Sequence, residues 1–206
     1  MKLFEALTEK PWEVEGEVAD PGGGDGDREV LPPAYLGLKV FLAVATVLFS
    51  LLIVSYAGRM GLADWRPLHE PWLLWPNTAV LILSSIALHW AVVNARRGDA
   101  DGLRQGLLAG GALAGVFLVG QLAAWQQLIA LGYFASSNPA NAFFYLITGL
   151  HGLHLLGGLV AWVRTMGKLR RGYEIAELGP SVELCAIYWH FLLAVWLILF
   201  GLMLFT

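Results

Sequence analysis

Four ionisable side chains form two pairs at helical spacing inside stretches of sequence that are largely apolar. His151 and His154 are three residues apart, and Glu183 and His190 are seven apart. At helical spacing the members of each pair fall on one face of their segment, so two facing helices could offer one carboxylate and three imidazoles. Ionisable groups within membrane segments are costly and indicate function by default. Three interpretations fit this pattern: a metal site, a pair of haem ligands, or hydrogen bonds to other helices and lipid head groups.

The spacing alone does not select among these interpretations. Di-iron bundles use Glu-x-x-His on two helices, and only one carboxylate is present here. A bis-histidine haem needs one imidazole from each of two helices, which His190 could supply together with His151 or His154. Hydrogen bonding across helices needs only polar side chains, and the apolar stretches carry several more: His89, Asn77, Thr78, Ser84, Ser85, Gln121 and Thr148.

The elements that must position these groups are long and apolar. The chain has 206 residues, of which 57% are hydrophobic and only 14% charged, against about a quarter charged in soluble domains. Each apolar stretch is close to the roughly 20 residues that span a bilayer as a helix, and none alternates as barrel strands do. The sequence predicts an all-α integral membrane bundle of five transmembrane helices, at residues 35–57, 73–95, 105–131, 140–163 and 182–205.

Turn and cap residues support two of these boundaries. Ser137-Asn138-Pro139 precedes the fourth stretch and Pro180-Ser181 precedes the fifth, which suits capping and a proline in the first helical turn. Residues 1–34 form a separate segment with nine acidic and three basic residues and a glycine-rich run, which is typical of a flexible tail. We therefore expect a flexible acidic cytoplasmic tail at 1–34 and a transmembrane domain at 35–206.

Basic residues are distributed unequally between the loops. Seven lie in the second and fourth connections and two in the first. The positive-inside rule then places the N-terminus in the cytoplasm and the C-terminus outside. No basic stripe suited to nucleic acid is present. The seven are Arg96, Arg97, Arg104, Arg164, Lys168, Arg170 and Arg171.

The polar positions carry a resemblance to subunit III of the haem–copper terminal oxidases. Residues 143–158 resemble its Phe-Tyr-…-Thr-Gly-x-His-Gly-x-His segment, and residues 183–196 its Glu-…-Tyr-Trp-His-Phe-…-Val-Trp segment. Asn77-Thr78 followed by Ser84-Ser85 is similar to a further family run. The likeness extends over residues 36–205, and five spans resemble the short bacterial form of the family, which lacks the first two of seven helices.

The resemblance implies a supporting role in an oxidase of the cytochrome c type, which reduces oxygen to water with proton translocation. Subunit I of that family holds the haems and the copper centre, subunit II usually takes electrons from cytochrome c, and subunit III binds neither haem nor copper. We therefore expect partner subunits I and II, bound phospholipids, a location in the bacterial cytoplasmic membrane, and no catalytic, cofactor or metal residue in this chain. The residues expected to make lipid or inter-helix polar contacts are His151, His154, Glu183, Trp189 and His190.

Other functions remain open at this stage. One is a membrane anchor that carries haem b and transfers electrons, and another is a similar subunit of a quinol oxidase or a nitric oxide reductase. A transporter is disfavoured because broken-helix pairs and an internal repeat are lacking. The chain also departs from the family pattern, with Ala45, Ala124 and Leu193 where the family has carboxylates. Roles that depend on those carboxylates are therefore absent.

Overall fold

The computed structural model describes residues 33–67 and 71–204, and within them every regular element is an α-helix. All five helices are long and apolar enough to cross a membrane, so the predicted fold class is confirmed. Of the predicted tail, residues 1–32 lie outside the described part, and the first helix begins at Pro33. The helices are α1 (Pro33–Met60), α2 (Leu74–Arg97), α3 (Ala100–Ala130), α4 (Pro139–Arg170) and α5 (Ile175–Leu204).

Local sequence fixes several helix ends. α2 ends at Arg97 and is followed by Gly98, whose φ of 74° is left-handed and therefore suits glycine. Asp99 follows at once and caps α3, with its Oδ1 accepting the N–H groups of Asp101 and Gly102 at 3.1 Å each. The predicted start of α4 is confirmed, since Asn138 is the cap and Pro139 the first helical residue.

The predicted start of α5 is wrong. The helix begins at Ile175, seven residues before Val182, and Pro180 lies inside it. A proline costs a helix the hydrogen bond from its missing N–H, here the one that the Ala176 carbonyl would accept. So close to the N-terminus this loss affects only the first turns, and the proline does not stop the helix from starting earlier.

Four of the helices enclose the core and the fifth lies beside them. α2 packs against α3 and α5, and α4 packs against α3 and α5, so these four close a ring. α1 packs mainly on α4 and α5. The two-residue connection of Gly98 and Asp99 makes α2 and α3 antiparallel neighbours, and their contact is the most extensive in the bundle.

Glycines allow the α2–α3 contact, as the small residues of α3 predict. A Cβ atom on Gly106 would lie 2.9 Å from the Cα atom of Ala91 and 2.9 Å from the backbone oxygen of Ala87. A Cβ atom on Gly110 would lie 2.6 Å from Cγ of Leu88. A larger residue at Gly106 would meet the backbone of α2 and push the helices apart, whereas one at Gly110 would displace the Leu88 side chain.

The outer surface is apolar. Large hydrophobic side chains are exposed along all five helices, including Val44, Ile86, Val119, Leu153 and Ile187. Contact of such a surface with lipid hydrocarbon carries no free-energy penalty, whereas contact with water would. The buried centre is aromatic instead, with Phe117, Phe144, Trp189 and Trp196 almost fully enclosed.

Candidate functional site

Glu183 joins three helices near one end of the bundle. Tyr35 of α1 donates a hydrogen bond of 3.0 Å to its Oε2 atom. Arg96, in the last turn of α2, donates from Nε to Oε1 at 3.0 Å and pairs through Nη2 at 2.9 Å. The arginine side chain is 70% exposed and the glutamate side chain 31%. The carboxylate therefore connects the ends of α1 and α2 to α5 at a partly exposed site. It lies more than two turns into α5, too far from the N-terminus to act on the helix dipole.

His151 occupies the centre of the bundle. Its side chain is fully buried, with 0% exposure. The ring lies 5.1 Å from that of Trp196, 5.9 Å from Phe117 and 6.4 Å from Phe49, measured between centroids. Within the described residues neither ring nitrogen has a hydrogen-bond partner. Both ring nitrogens are thus enclosed within the bundle.

His154 lies at the contact between α4 and α1. Its Nδ1 atom is 2.8 Å from the carbonyl oxygen of Leu150, one turn earlier in α4. The ring contacts Phe49 at 5.2 Å and Phe41 at 5.9 Å. Phe49 therefore touches both histidines of the pair, as expected for residues three apart on one helical face. Tyr188 of α5 donates to the His154 backbone carbonyl at 2.8 Å.

Trp189 is fully buried and connects α5 to α2 and α3. Its indole N–H donates to Oγ of Ser84 at 3.1 Å, and that hydroxyl donates to the Gly110 carbonyl at 2.7 Å. These two hydrogen bonds give the buried indole N–H an acceptor, and without one its burial would cost free energy.

His190 lies on the outside of the bundle, exposed beside α2. Its Nδ1 atom is 2.5 Å from Oγ of Ser85, and its ring is 5.7 Å from that of His89. The seven-residue spacing from Glu183 does place both side chains on one edge of α5, and that edge faces α2.

The spacing suggests that two facing helices could offer one carboxylate and three imidazoles, but the structure does not bring these groups together. The four groups lie in four separate places: Glu183 near the helix ends, His151 in the core, His154 at the contact between α4 and α1, and His190 on the outer α2–α5 edge. Among the residues that the structure describes, no three histidine, cysteine or acidic side chains come together as a metal site would need.

Sequence reasoning missed a set of tryptophan donors. Trp196 donates to Oγ1 of Thr78 at 2.9 Å, and Trp125 to Oγ1 of Thr148 at 3.0 Å. Trp162 donates to the Leu107 carbonyl at 2.8 Å. Each bond joins two helices. An indole N–H can only donate a hydrogen bond, so each tryptophan in a membrane span needs an acceptor. Searching the neighbouring spans for hydroxyl groups could therefore have predicted the bonds of Trp196 and Trp125.

A cavity of about 630 Å³ lies between α1, α4 and α5. Its wall is largely apolar, with Leu38, Phe41 and Gly158 among the lining residues. Two cations, Arg164 and Lys168, line it near the C-terminal end of α4. The cavity thus combines a hydrocarbon-like interior with a positive end.

Comparison with known proteins assigns the chain to a family. The family model of cytochrome c oxidase subunit III matches residues 38–206. The chain belongs to the cytochrome c oxidase subunit III family. The cytochrome c oxidase subunit 3 of Thermostichus vulcanus is 34% identical, over 82% of this chain and 85% of that protein. Probable cytochrome c oxidase subunits 3 of Nocardia farcinica and Mycobacterium leprae are 34% and 33% identical, over 75% and 80% of this chain and 76% and 84% of theirs.

Membership of the subunit III family makes the chain part of an oxidase complex in a membrane. The relatives reported above are all named as cytochrome c oxidase subunits, so a quinol oxidase, a nitric oxide reductase and a haem-carrying anchor are not favoured. Two of the family departures lie inside the bundle, because Ala45 and Ala124 are buried, and Leu193 is partly buried.

Proposed function

We propose that this chain is a non-catalytic subunit III that stabilises subunit I of its oxidase and contacts subunit II, and that it binds neither haem nor copper. Its buried polar groups support this role, because they are used mainly to hold helices together. The observation that carries the proposal is the environment of His151, whose ring nitrogens are buried and whose ring lies against those of Trp196 and Phe117. A residue that ligates a cofactor needs an approach to at least one nitrogen.

We also propose that the chain lies in a bacterial cytoplasmic membrane with its N-terminus inside. The charges support this orientation. Arg96, Arg164 and Lys168 lie towards the C-terminal ends of α2 and α4, and α3 begins next to α2. At the opposite end of the bundle the described basic residues are only Arg59, in the last turn of α1, and Arg66, as the positive-inside rule requires of an outer face.

The cavity between α1, α4 and α5 is a suitable site for a phospholipid. Acyl chains would lie against Leu38 and Phe41, and the phosphate would reach Arg164 and Lys168. Juxtamembrane cations attract anionic lipid by about 1 kcal/mol each. With the proposed orientation, the lipid belongs to the cytoplasmic leaflet.

Purification through a tag on this chain tests the proposal. In mild detergent we expect the tagged chain to bring with it subunits that carry haem and copper, and the complex to reduce oxygen. After dissociation, the isolated chain should show no Soret absorbance. A Soret band in the isolated chain that disappears in His151→Leu would instead identify it as a haem carrier.

A further inference from the structure

Two imidazoles lie exposed on the outer surface of a bundle whose surroundings are hydrocarbon. His89 of α2 and His190 of α5 are both exposed, and their rings are 5.7 Å apart. Ile86 and Ile187, each three residues earlier on its helix, are exposed next to them. We call Ser85, Ile86, His89, Ile187 and His190 the imidazole face.

The imidazole face is deep within the spans. His190 is about 21 Å from either end of α5, and His89 about 12 Å from the nearer end of α2, at 1.5 Å per residue. The hydrocarbon core is about 30 Å thick, so His190 lies near its middle. Lipid head groups cannot reach that depth.

The hydrogen-bonding capacity of the two rings is only partly used. Ser85 engages Nδ1 of His190 at 2.5 Å and thereby fixes the ring, leaving Nε2 available. Within the described part of the chain, His89 makes a ring contact with His190 and no hydrogen bond. Polar groups facing bare lipid are costly, and ionisable residues in membrane helices almost always face protein or water.

We propose that the imidazole face is the surface on which a transmembrane helix of the haem-bearing subunit docks, presenting a hydrogen-bonding side chain or a free backbone carbonyl to His89 and His190. This inference rests on the proposed function, since it names the contact surface for the partner assumed there. It assigns the α2–α5 edge of the ring, and not the opposite α3–α4 edge, to the interface.

A protein helix fits this face better than a lipid or a metal ion does. Acyl chains offer no hydrogen-bonding group at this depth, whereas a neighbouring helix does. Two imidazoles alone do not fill the ligand set of a metal, and no third histidine, cysteine or acidic residue joins them among the described residues. The exposed isoleucines beside the rings supply the apolar contact that a packed helix needs.

Photocrosslinking in intact membranes tests the proposal. Benzoylphenylalanine is placed at Ile86 or Ile187 on the imidazole face, and at Val119 of α3 or Leu153 of α4 as matched exposed controls. We expect crosslinks to the haem-bearing subunit from the first pair and none from the second. Crosslinks to that subunit from the controls alone, or none from the imidazole face, overturn the assignment.

Substitution of the histidines provides a second test in the purified complex. His89→Phe and His190→Phe remove hydrogen bonds at similar size, and His190→Gln restores one. We expect each phenylalanine variant to weaken retention of this chain roughly threefold, and the double variant roughly tenfold. Thermal unfolding of the isolated His89→Phe chain should be unchanged. Wild-type retention of the double variant in mild detergent contradicts the proposal.

Failure of the surface assignment is distinguishable from failure of the proposed function. If the tagged wild-type chain brings no haem-bearing subunit with it, the proposed function fails. If it does bring that subunit, but crosslinks come only from α3 and α4, the function stands and the surface alone is wrong.

Discussion

The indole of Trp196 donates a hydrogen bond of 2.9 Å to the hydroxyl of Thr78, and that hydroxyl donates to the carbonyl of Leu74 at 2.8 Å. The pair connects α5 to α2 beside the buried ring of His151. Thr78 thus acts as acceptor for one helix and donor within its own. This relay is one of the points at which the four-helix ring is held closed.

Removing the acceptor should therefore destabilise the bundle. Thr78→Val leaves the Trp196 indole without a partner at nearly constant volume, and we expect a loss of about 1 kcal/mol in the free energy of unfolding. Unfolding of the isolated chain in mixed micelles measures it. Thr46→Val is the matched control, because Thr46 bonds only to Leu42 of its own helix on an exposed face, and it should change nothing.

Enlarging Gly106 should separate α2 from α3. In Gly106→Ala the new methyl group would meet the backbone of α2, and overpacking of this kind costs about 1–3 kcal/mol. Gly115→Ala lies on the same helix with no atom within 4 Å of the added Cβ, and alanine is the better helix former. A thermal shift assay should show a lower midpoint for the first and an equal or higher one for the second. Equal midpoints would show that the helices yield.

Replacing His151 should not harm the fold. His151→Phe replaces with carbon two ring nitrogens that have no hydrogen-bond partner among the described residues, so we expect a change between zero and about 1 kcal/mol of stabilisation. The absorbance spectrum of the complex should stay the same. Marked destabilisation would mean that a nitrogen of this ring makes a hydrogen bond within the complex.

Removing the cations of the lipid cavity should release lipid. In Arg164→Gln/Lys168→Gln, loss of two attractive charges of about 1 kcal/mol each should weaken phospholipid retention roughly tenfold or more. Native mass spectrometry of the purified complex measures the bound lipid. Arg104→Gln is the control, because Arg104 is exposed and does not line the cavity. Equal lipid content in the two variants would contradict the assignment.

Disrupting the Glu183 contacts should free the start of α1. Tyr35→Phe removes one hydrogen bond to the carboxylate, and we expect faster amide hydrogen exchange at residues 37–40, with little change in global stability because the site is partly exposed. Ser55→Ala, which removes a bond within α1 alone, should leave that exchange rate as it is.

Much of the architecture follows from the sequence because membrane helices must be long, apolar and closely packed. Hydrophobic length predicts the five helices, the asparagine and proline at 138–139 predict the start of α4, and the α3 glycines predict a close neighbour. Glu183 and His190 do share an edge of α5, as their spacing requires.

The neighbour of each face does not follow from the sequence. In a soluble helix, polar and apolar sides distinguish outside from inside, but here both sides are apolar and the contrast is lost. His190 therefore could not be assigned to α2 in place of α4, nor His151 to an aromatic cage. The start of α5 differs from the prediction for another reason: Pro180 resembles a helix boundary in the sequence, although the early turns of a helix tolerate a proline.

The two-residue connection at Gly98 and Asp99 has a consequence for biosynthesis. So short a link cannot leave one of α2 and α3 outside the bilayer while the other crosses it, so the two must be inserted together as a hairpin. Their glycine-lined contact can form as soon as both have left the ribosome. α1 is synthesised before the other four, yet it packs mainly on α4 and α5 and can complete its contacts only after α5 has been made. The order of assembly therefore differs from the order of synthesis.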